Sequence, residues 1–412
     1  MAFLGTKHIY IFLNKKIISC DTILPLMLEI KKRNNSINIH FVIFDFKTYN
    51  FIQKNLLLLK IINEVGSMKC LGREYNSNYF KEQSISKYHY KRLNIILHLI
   101  KIFSYLLRLF LNLIFYNTIF IHFRALNIWP TKILYYFNKS KTILCEADSS
   151  GFSNTIAQVN STLNGQIQAL HDFNLPIPCG NKIIAFSKLF PLLKHPALIN
   201  SKKYIIESSH NRKIWLNYIT SNANSMLQNT HKLDKNSDYC VLVLSHIGQE
   251  MKGAKILKNK DSWTTLVEDI LDIIYSENPN IIILIKPHII TDMVLLNKIL
   301  SKRTNIKTMI TYLHPALLAV KAKFSIASHY STAFQSIYYI GGITIEYTDQ
   351  KEVYRKKLNY KSKRPEFTSY FFNDDENGFR TLLRDINNNK MKVKLKNGYD
   401  EDPTNLFNDL SN

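Results

Sequence analysis

Three short apolar runs in the second half of the chain each end in a histidine: VLVLSHIG (His246), IIILIKPH (His288) and FSIASHYST (His329). With Lys286 two residues before His288, these side chains suit phosphate oxygens. Ser331 and Thr332 stand where a strand gives way to a helix. Hydroxyls and unpaired backbone N–H groups there would make an anion site at the positive end of the helix. Three histidines can also hold a metal, but no HxH or HExxH spacing occurs and the flanking residues suit phosphate better, so no metal is expected. In the first half, LCEADSSGFSN at 144–154 runs an apolar strand into Glu146 and Asp148, followed by small residues. A carboxylate in that position can take the proton of an attacking hydroxyl. The plainer alternative is a turn in which Asp148 caps the segment that follows. His122, His171-Asp172 and His195-Pro196 read as structural.

These assignments need strands that all point the same way. The runs HIYIFL (8–13) and NIHFVIFDF (38–46) are apolar without alternation, as are 118–123, 141–145, 182–186 and 203–206. Strands apolar on both faces belong in parallel sheets covered by helices, and helix-length segments separate them. The rhythm restarts at 239–245, 281–286, 306–311, 323–328 and 343–347, and Gly341-Gly342 ends one intervening helix. In such sheets ligands bind at the carboxyl ends of the strands, which brings the three histidines toward one crevice. The polar, aperiodic stretch 221–238 reads as a linker. The expected organisation is a first domain over 1–225, a linker over 226–238 and a second domain over 239–412 with a C-terminal helix. The polar end of the tail beyond about 375 could cross back to the first domain.

At 412 residues with a 46% hydrophobic fraction the chain can build two sizeable cores, which excludes wholesale disorder. The net charge of +23 favours anionic partners: nucleotides, acidic glycans, nucleic acid or an anionic membrane leaflet. Five scattered cysteines without a CxxC pair argue against a disulfide framework or a cysteine zinc site and fit a reducing cytoplasm. No secretory signal is visible. Residues 93–116 approach membrane-spanning length, yet His98, Lys101, Tyr105, Arg108 and Asn112 draw a polar stripe down a helix. Two readings stand: a mostly buried helix with its stripe at the surface, or an amphipathic helix in the membrane interface with Lys87, Lys91 and Arg92 upstream. The segment 351–364 carries seven Lys or Arg with Tyr354 and Tyr360 interleaved. It reads as a solvated loop near an anionic ligand, with a grip on nucleic acid as the alternative.

With EADSSG, KPH, SHYSTAF and the following GG in view, the chain resembles bacterial GT-B glycosyltransferases of capsule and lipopolysaccharide synthesis. It is most similar to the sialyltransferase, polysialyltransferase and Kdo-transferase types. The resemblance implies an α/β fold of two Rossmann-like domains facing across a cleft. It also implies transfer of a sugar, sialic acid or Kdo, from a CMP donor to a glycan or lipid-linked acceptor. On this reading Asp148, with Glu146 second, is the general base, His288 is catalytic at the donor phosphate and Ser331 and Thr332 bind it; strand-end position adds Lys286, His329 and His246 to the phosphate-binding set. The family's acidic motif is interrupted here by Ala147, its glycine is displaced to Gly151, and His288 follows its proline. His314-Pro315 and His195-Pro196 match an HP dipeptide literally but at other places in the pattern. No cofactor or metal is implied beyond the nucleotide sugar. Location is expected in the cytoplasm, peripheral to the inner membrane. Inversion at the anomeric carbon is expected, with double displacement through Glu250 as the alternative. A CDP-polyol phosphotransferase of the teichoic-acid type is the competing enzyme class. An RNA-binding protein is a further alternative that lacks an RRM or KH signature.

Overall fold

The computed structural model describes residues 4–13, 17–72, 86–128, 131–148, 177–188, 190–233, 236–244, 263–288, 291–390, 398–402 and 404–411. The chain forms two compact units, Met1–Gln53 with Leu58–Ser209 and Asp400–Asn412, and Lys54–Leu57 with His210–Tyr399. The first contains β1 (Leu4–Leu13), β2 (Asn38–Ile43), β3 (Gly66–Cys70), β4 (Tyr116–His122), β5 (Thr142–Cys145), β6 (Lys182–Ala185) and β7 (Lys202–Ile205). They form one parallel sheet in the order β3-β2-β1-β4-β5-β6-β7. The second contains β8 (Tyr239–Val243), β9 (Ile282–Lys286), β10 (Thr308–Ile310), β11 (Ser325–Ala327), β12 (Thr344–Thr348) and β13 (Tyr370–Asn373). These form a second parallel sheet in the order β10-β9-β8-β11-β12-β13.

Both sheets follow one winding rule: the chain moves outward for three strands, returns to the middle and moves out the other way. The reversal falls between β1 and β4 in one unit and between β8 and β11 in the other. The unalternating runs explain the sheets, since every residue of β5, β8 and β12 is buried. Gly341 ends the helix Ala333–Tyr339 as expected. Its φ of 86° is a left-handed value that a side chain would strain, and its N–H donates to the carbonyl of Tyr338 at 3.0 Å.

The expected linker is corrected. A helix runs over Lys213–His231, burying Trp215, Leu216, Ile219, Ala223, Met226 and Leu227. Those positions make a helical stripe, but its later part is supplied by only Ala223, Met226 and Leu227 among Asn, Ser and Gln, which made the segment read as polar coil. The division between units therefore falls at 209/210, not at 225, and Asp400–Asn412 belongs to the first unit. There the helix Leu406–Ser411 buries Leu406, Phe407 and Leu410. Lys202 and the Tyr204 hydroxyl both donate to the Asp409 carboxylate at 2.5 Å, and Asn34 donates to the carbonyl of Ser411 at 2.9 Å.

The helix Ser86–Phe115 is not the mostly buried helix of the first reading given to it. Its polar stripe lies partly at the surface, where Lys101 and Arg108 are exposed, and runs inward through half-buried Tyr105 to Asn112. Asn112 is buried and donates from Nδ2 to the Tyr10 hydroxyl at 2.6 Å, while Thr118 Oγ1 donates to the Asn112 carbonyl at 2.9 Å. Tyr105, Leu106, Phe110 and Leu113 pack with buried Leu109 against Tyr10, Phe12, Val42 and Phe120 of the sheet. This sheet face is itself polar at one end. The rings of His8 and His40 meet there, Nδ1 to Nε2, at 3.0 Å, and Tyr10 stacks on His40 at 4.5 Å. A helix packing on such a face can place an amide such as Asn112 among its inward leucines, because the sheet supplies the partner. A second apolar set, from Ile96 to Phe115, faces out.

Asn112→Leu should leave the Tyr10 hydroxyl buried without a donor and lower stability by about 1–3 kcal/mol in urea denaturation. Adding Tyr10→Phe should restore part of that loss. Equal and additive losses would show that the Asn112–Tyr10 bond does not hold the helix to the sheet.

Candidate functional site

In the first unit, β5 delivers Glu146 and Asp148 to the carboxyl edge of the sheet. Arg124, held at φ 63° two residues after β4, donates from Nε to Glu146 Oε1 at 2.5 Å. Asp148 has no exposed surface. Its Oδ2 accepts from Ser208 Oγ at 2.6 Å and Ser209 Oγ at 3.2 Å, just beyond β7, and its N–H donates to Thr22 Oγ1 at 3.0 Å. Asp148 thus ties the strand end to two other segments, while Glu146, 8% exposed, lies nearer the solvent. Gly151, His171 and Asp172 lie outside the described residues. His122 is fully buried, with Nε2 at 2.8 Å from the Cys179 carbonyl, and burial pushes its imidazole down to about 4. It is a neutral structural residue.

In the second unit, Lys286 ends β9 and is buried. Its ammonium lies 6.0 Å from the ring centre of Tyr312, just past β10, and Lys54 lies 5.1 Å from the same ring. Two cations therefore converge on one aromatic ring at the strand ends. His288 is exposed, in a turn closed by Thr291 Oγ1 accepting its backbone N–H at 2.9 Å. His246 and Glu250 lie outside the described residues, although β8, which leads to them, borders the reversal point. On the other side of that point β11 leads into Ser328, His329, Tyr330 and Ser331. The Ser328 hydroxyl is buried and has no hydrogen-bond partner among the described residues. Ser331 Oγ accepts from the Ala333 N–H at 3.3 Å and so caps the helix, whereas Thr332 is exposed and makes no side-chain cap bond.

The sequence reading missed Glu346. It sits in β12 opposite Ala327, the last residue of β11, and is 1% exposed. Ser362 Oγ donates to its Oε2 at 2.5 Å and the Tyr330 N–H also bonds its carboxylate. Burial outweighs these donors and pushes the carboxyl up to about 7. The signal was present: an acid in the middle of ITIEY has no place in a strand buried on both faces unless something binds it. The basic segment 351–364 explains part of this, because after the short helix Glu352–Lys357 it turns back to bring Ser362 under Glu346. The literal HP pairs are caps. His314 Nδ1 accepts from the Ala316 N–H and His195 Nδ1 from the Ala197 N–H, each at 3.2 Å, and both prolines occupy the first turn of their helices.

No protein-family model matches the sequence, and no curated protein matches it. Among solved structures the chain is similar to the UDP-GlcNAc 2-epimerase from Methanocaldococcus jannaschii, at 14% identity over 98% of this chain and 99% of that one, with a TM-score of 0.52. Weaker matches include the S. aureus MnaA–UDP co-structure (9% identity, 95% and 91% covered, TM-score 0.49). Another is a glycosyltransferase from Rickettsia africae (10% identity, 99% and 94% covered, TM-score 0.43). What is shared is the fold. The chain has the two Rossmann-like α/β domains of the GT-B class.

The raised Glu346 carboxyl has a stability consequence. Between about pH 4.5 and 7 the folded chain binds a proton there that the unfolded chain has lost, so stability should fall as pH rises through that window. Glu346→Gln should remove most of this slope, worth roughly 3 kcal/mol at its limit. Melting temperatures of both proteins across that range test it; parallel curves would mean that Glu346 titrates normally.

Proposed function

We propose that the protein is a nucleotide-sugar-dependent glycosyltransferase of bacterial surface polysaccharide synthesis. The observation that carries the reading is the strand edge of the second unit. Lys286, the Ser328 and Ser331 hydroxyls, His288 and His329 all follow strands of one parallel sheet, where such folds bind nucleotides. Their chemistry fits a donor phosphate, whose negative charge grows as the glycosidic bond breaks. His246 and Thr332 complete the proposed set. A CMP-activated sialic acid or Kdo is the donor we favour, on the motif resemblance. The full-length similarity to a UDP-GlcNAc 2-epimerase favours a second reading, in which the nucleotide is UDP and the sugar is epimerised without an acceptor.

For transfer, the acceptor hydroxyl must lose a proton to a base within hydrogen-bond reach. Of the two carboxylates after β5, Glu146 has the exposed edge and Asp148 has none. We therefore assign the base to Glu146 and the fixing of the loop to Asp148, reversing the order the sequence suggested. A cytoplasmic location follows from a nucleotide-sugar donor, and a glycan or lipid-linked acceptor from the proposed chemistry.

Two measurements test this reading. In thermal-shift screening, CMP or a CMP-sugar at about a hundredfold excess over Kd should stabilise the chain by about 2.7 kcal/mol. A response to UDP alone would replace the donor, and a response to no nucleotide would end the proposal. Glu146→Gln should keep donor binding and lower turnover by about 10²–10⁴-fold, whereas Asp148→Asn should chiefly lower the melting temperature. The reverse pattern would return the base to Asp148. Conversion of a UDP-sugar with no acceptor present would favour the epimerase.

A further inference from the structure

The outward face of the helix Ser86–Phe115 is the largest feature that the proposed chemistry leaves unused. Ile96, Leu99, Ile100, Phe103, Leu107, Leu111 and Ile114 recur every three or four residues and form one exposed crest, with Phe103 at 69% exposure. Leu97 and Phe115 widen it. Nine large apolar side chains, each about half exposed, together exceed the few hundred Å² that soluble monomers ordinarily carry in one patch. The patch continues onto the helix Lys132–Phe137. Phe137, 67% exposed, meets Phe110 edge to face at 5.1 Å, and Lys132 lies 5.9 Å from the ring of exposed Tyr136.

Charge identifies what covers this face. From Gln83 to Cys145 the chain has nine Lys or Arg and no Asp or Glu. Lys101 and Arg108 are exposed beside the crest, and Lys139 is exposed next to Phe137. An apolar face flanked by cations and aromatic rings, with no acid, complements an anionic lipid surface. By length and composition Ile95–Phe115 could cross a bilayer. Its inner side, however, is sealed to the sheet through Leu109, Leu113 and the Asn112–Tyr10 bond, so lipid can reach only one side. Lys101 and Arg108 would also lie near the centre of such a span.

We propose that the outer face of Ser86–Phe115, together with Tyr136 and Phe137, is a membrane-binding surface. The helix lies in the plane of an anionic bilayer, its crest sunk to the level of the acyl chains and Lys101 and Arg108 reaching back to the headgroups. This assignment stands apart from the sugar chemistry and would hold for any activity of the chain.

Flotation of the full chain with phosphatidylcholine vesicles, with and without phosphatidylglycerol, tests it. The chain should float with the anionic vesicles, and added salt should weaken this without abolishing it, because the crest contributes independently of charge. Phe103→Glu with Leu107→Glu should lower partitioning about tenfold or more. Both sites are exposed, so the melting temperature should not fall. Lys101→Gln with Lys139→Gln keeps the crest and should reduce the preference for anionic vesicles by roughly fivefold per charge. Nucleotide-induced stabilisation should be the same in all three proteins, which separates a failure here from a failure of the proposed function. The proposal is overturned if the wild type does not float, or if it and the glutamate variant float equally. It is equally overturned if the variant merely dissolves a dimer, which would make the occupant a second copy, or if alkaline carbonate fails to extract the protein, which would mean the helix spans.

Discussion

A parallel strand can be followed by another only if the chain returns along the outside of the sheet, and that return places every strand's carboxyl end at the same edge. Both units of this protein are built wholly from that constraint. It explains why residues as distant in sequence as Lys286, Ser328 and Ser331 come to one border, and why Glu146 and Asp148 come to another. The sheets' interiors are mostly apolar, so most of the polar chemistry of each unit is pushed to this border. Glu346 is an exception that tests the rule. Its carboxylate lies inside, held by Ser362 and the Tyr330 backbone, and burial pushes its carboxyl up to about 7.

The strands were the most legible part of the chain. Runs such as YCVLVLS and IIILIK are short, apolar and unalternating, and the only environment that accepts them is the middle of a covered parallel sheet. Their spacing also put His288 and His329 just past strand ends, while His246 lies outside the described residues. What could not be read were relations that depend on a distant partner. Asp148 in sequence is an acid in a turn; its burial depends on Ser208 and Ser209 some sixty residues later. The HP dipeptides carried a motif's spelling, yet His314 and His195 cap the helices they open.

The helix Ser86–Phe115 shows a subtler failure of pattern reading. Periodicity reveals that a helix has two faces and is silent on which one meets the protein. Here apolar residues occupy both faces: Leu106, Leu109 and Leu113 meet the sheet, and Asn112 joins them where that surface offers the Tyr10 hydroxyl. One hydroxyl gives Asn112 its place among the leucines of the buried side, and the exposed crest is a second apolar face. The Lys213–His231 helix errs the opposite way: its apolar stripe was too thin to see against the surrounding polar residues, although Trp215 is completely buried.

The return of Asp400–Asn412 to the first unit bears on the order in which the protein is made. A ribosome releases residues in sequence, and most multidomain chains let the leading domain fold before the next is complete. Here the leading unit stays unfinished while residues 210–399 emerge. The helix Ile18–Arg33 waits for Phe407, over whose ring Arg33 lies at 4.8 Å, and Tyr204 waits for Asp409. Until those partners arrive, apolar surface at the start of the chain stays uncovered. Nascent chains arrested before Asp400 should accordingly remain open to protease in their first two hundred residues, with protection appearing only once Phe407 and Leu410 are free to dock.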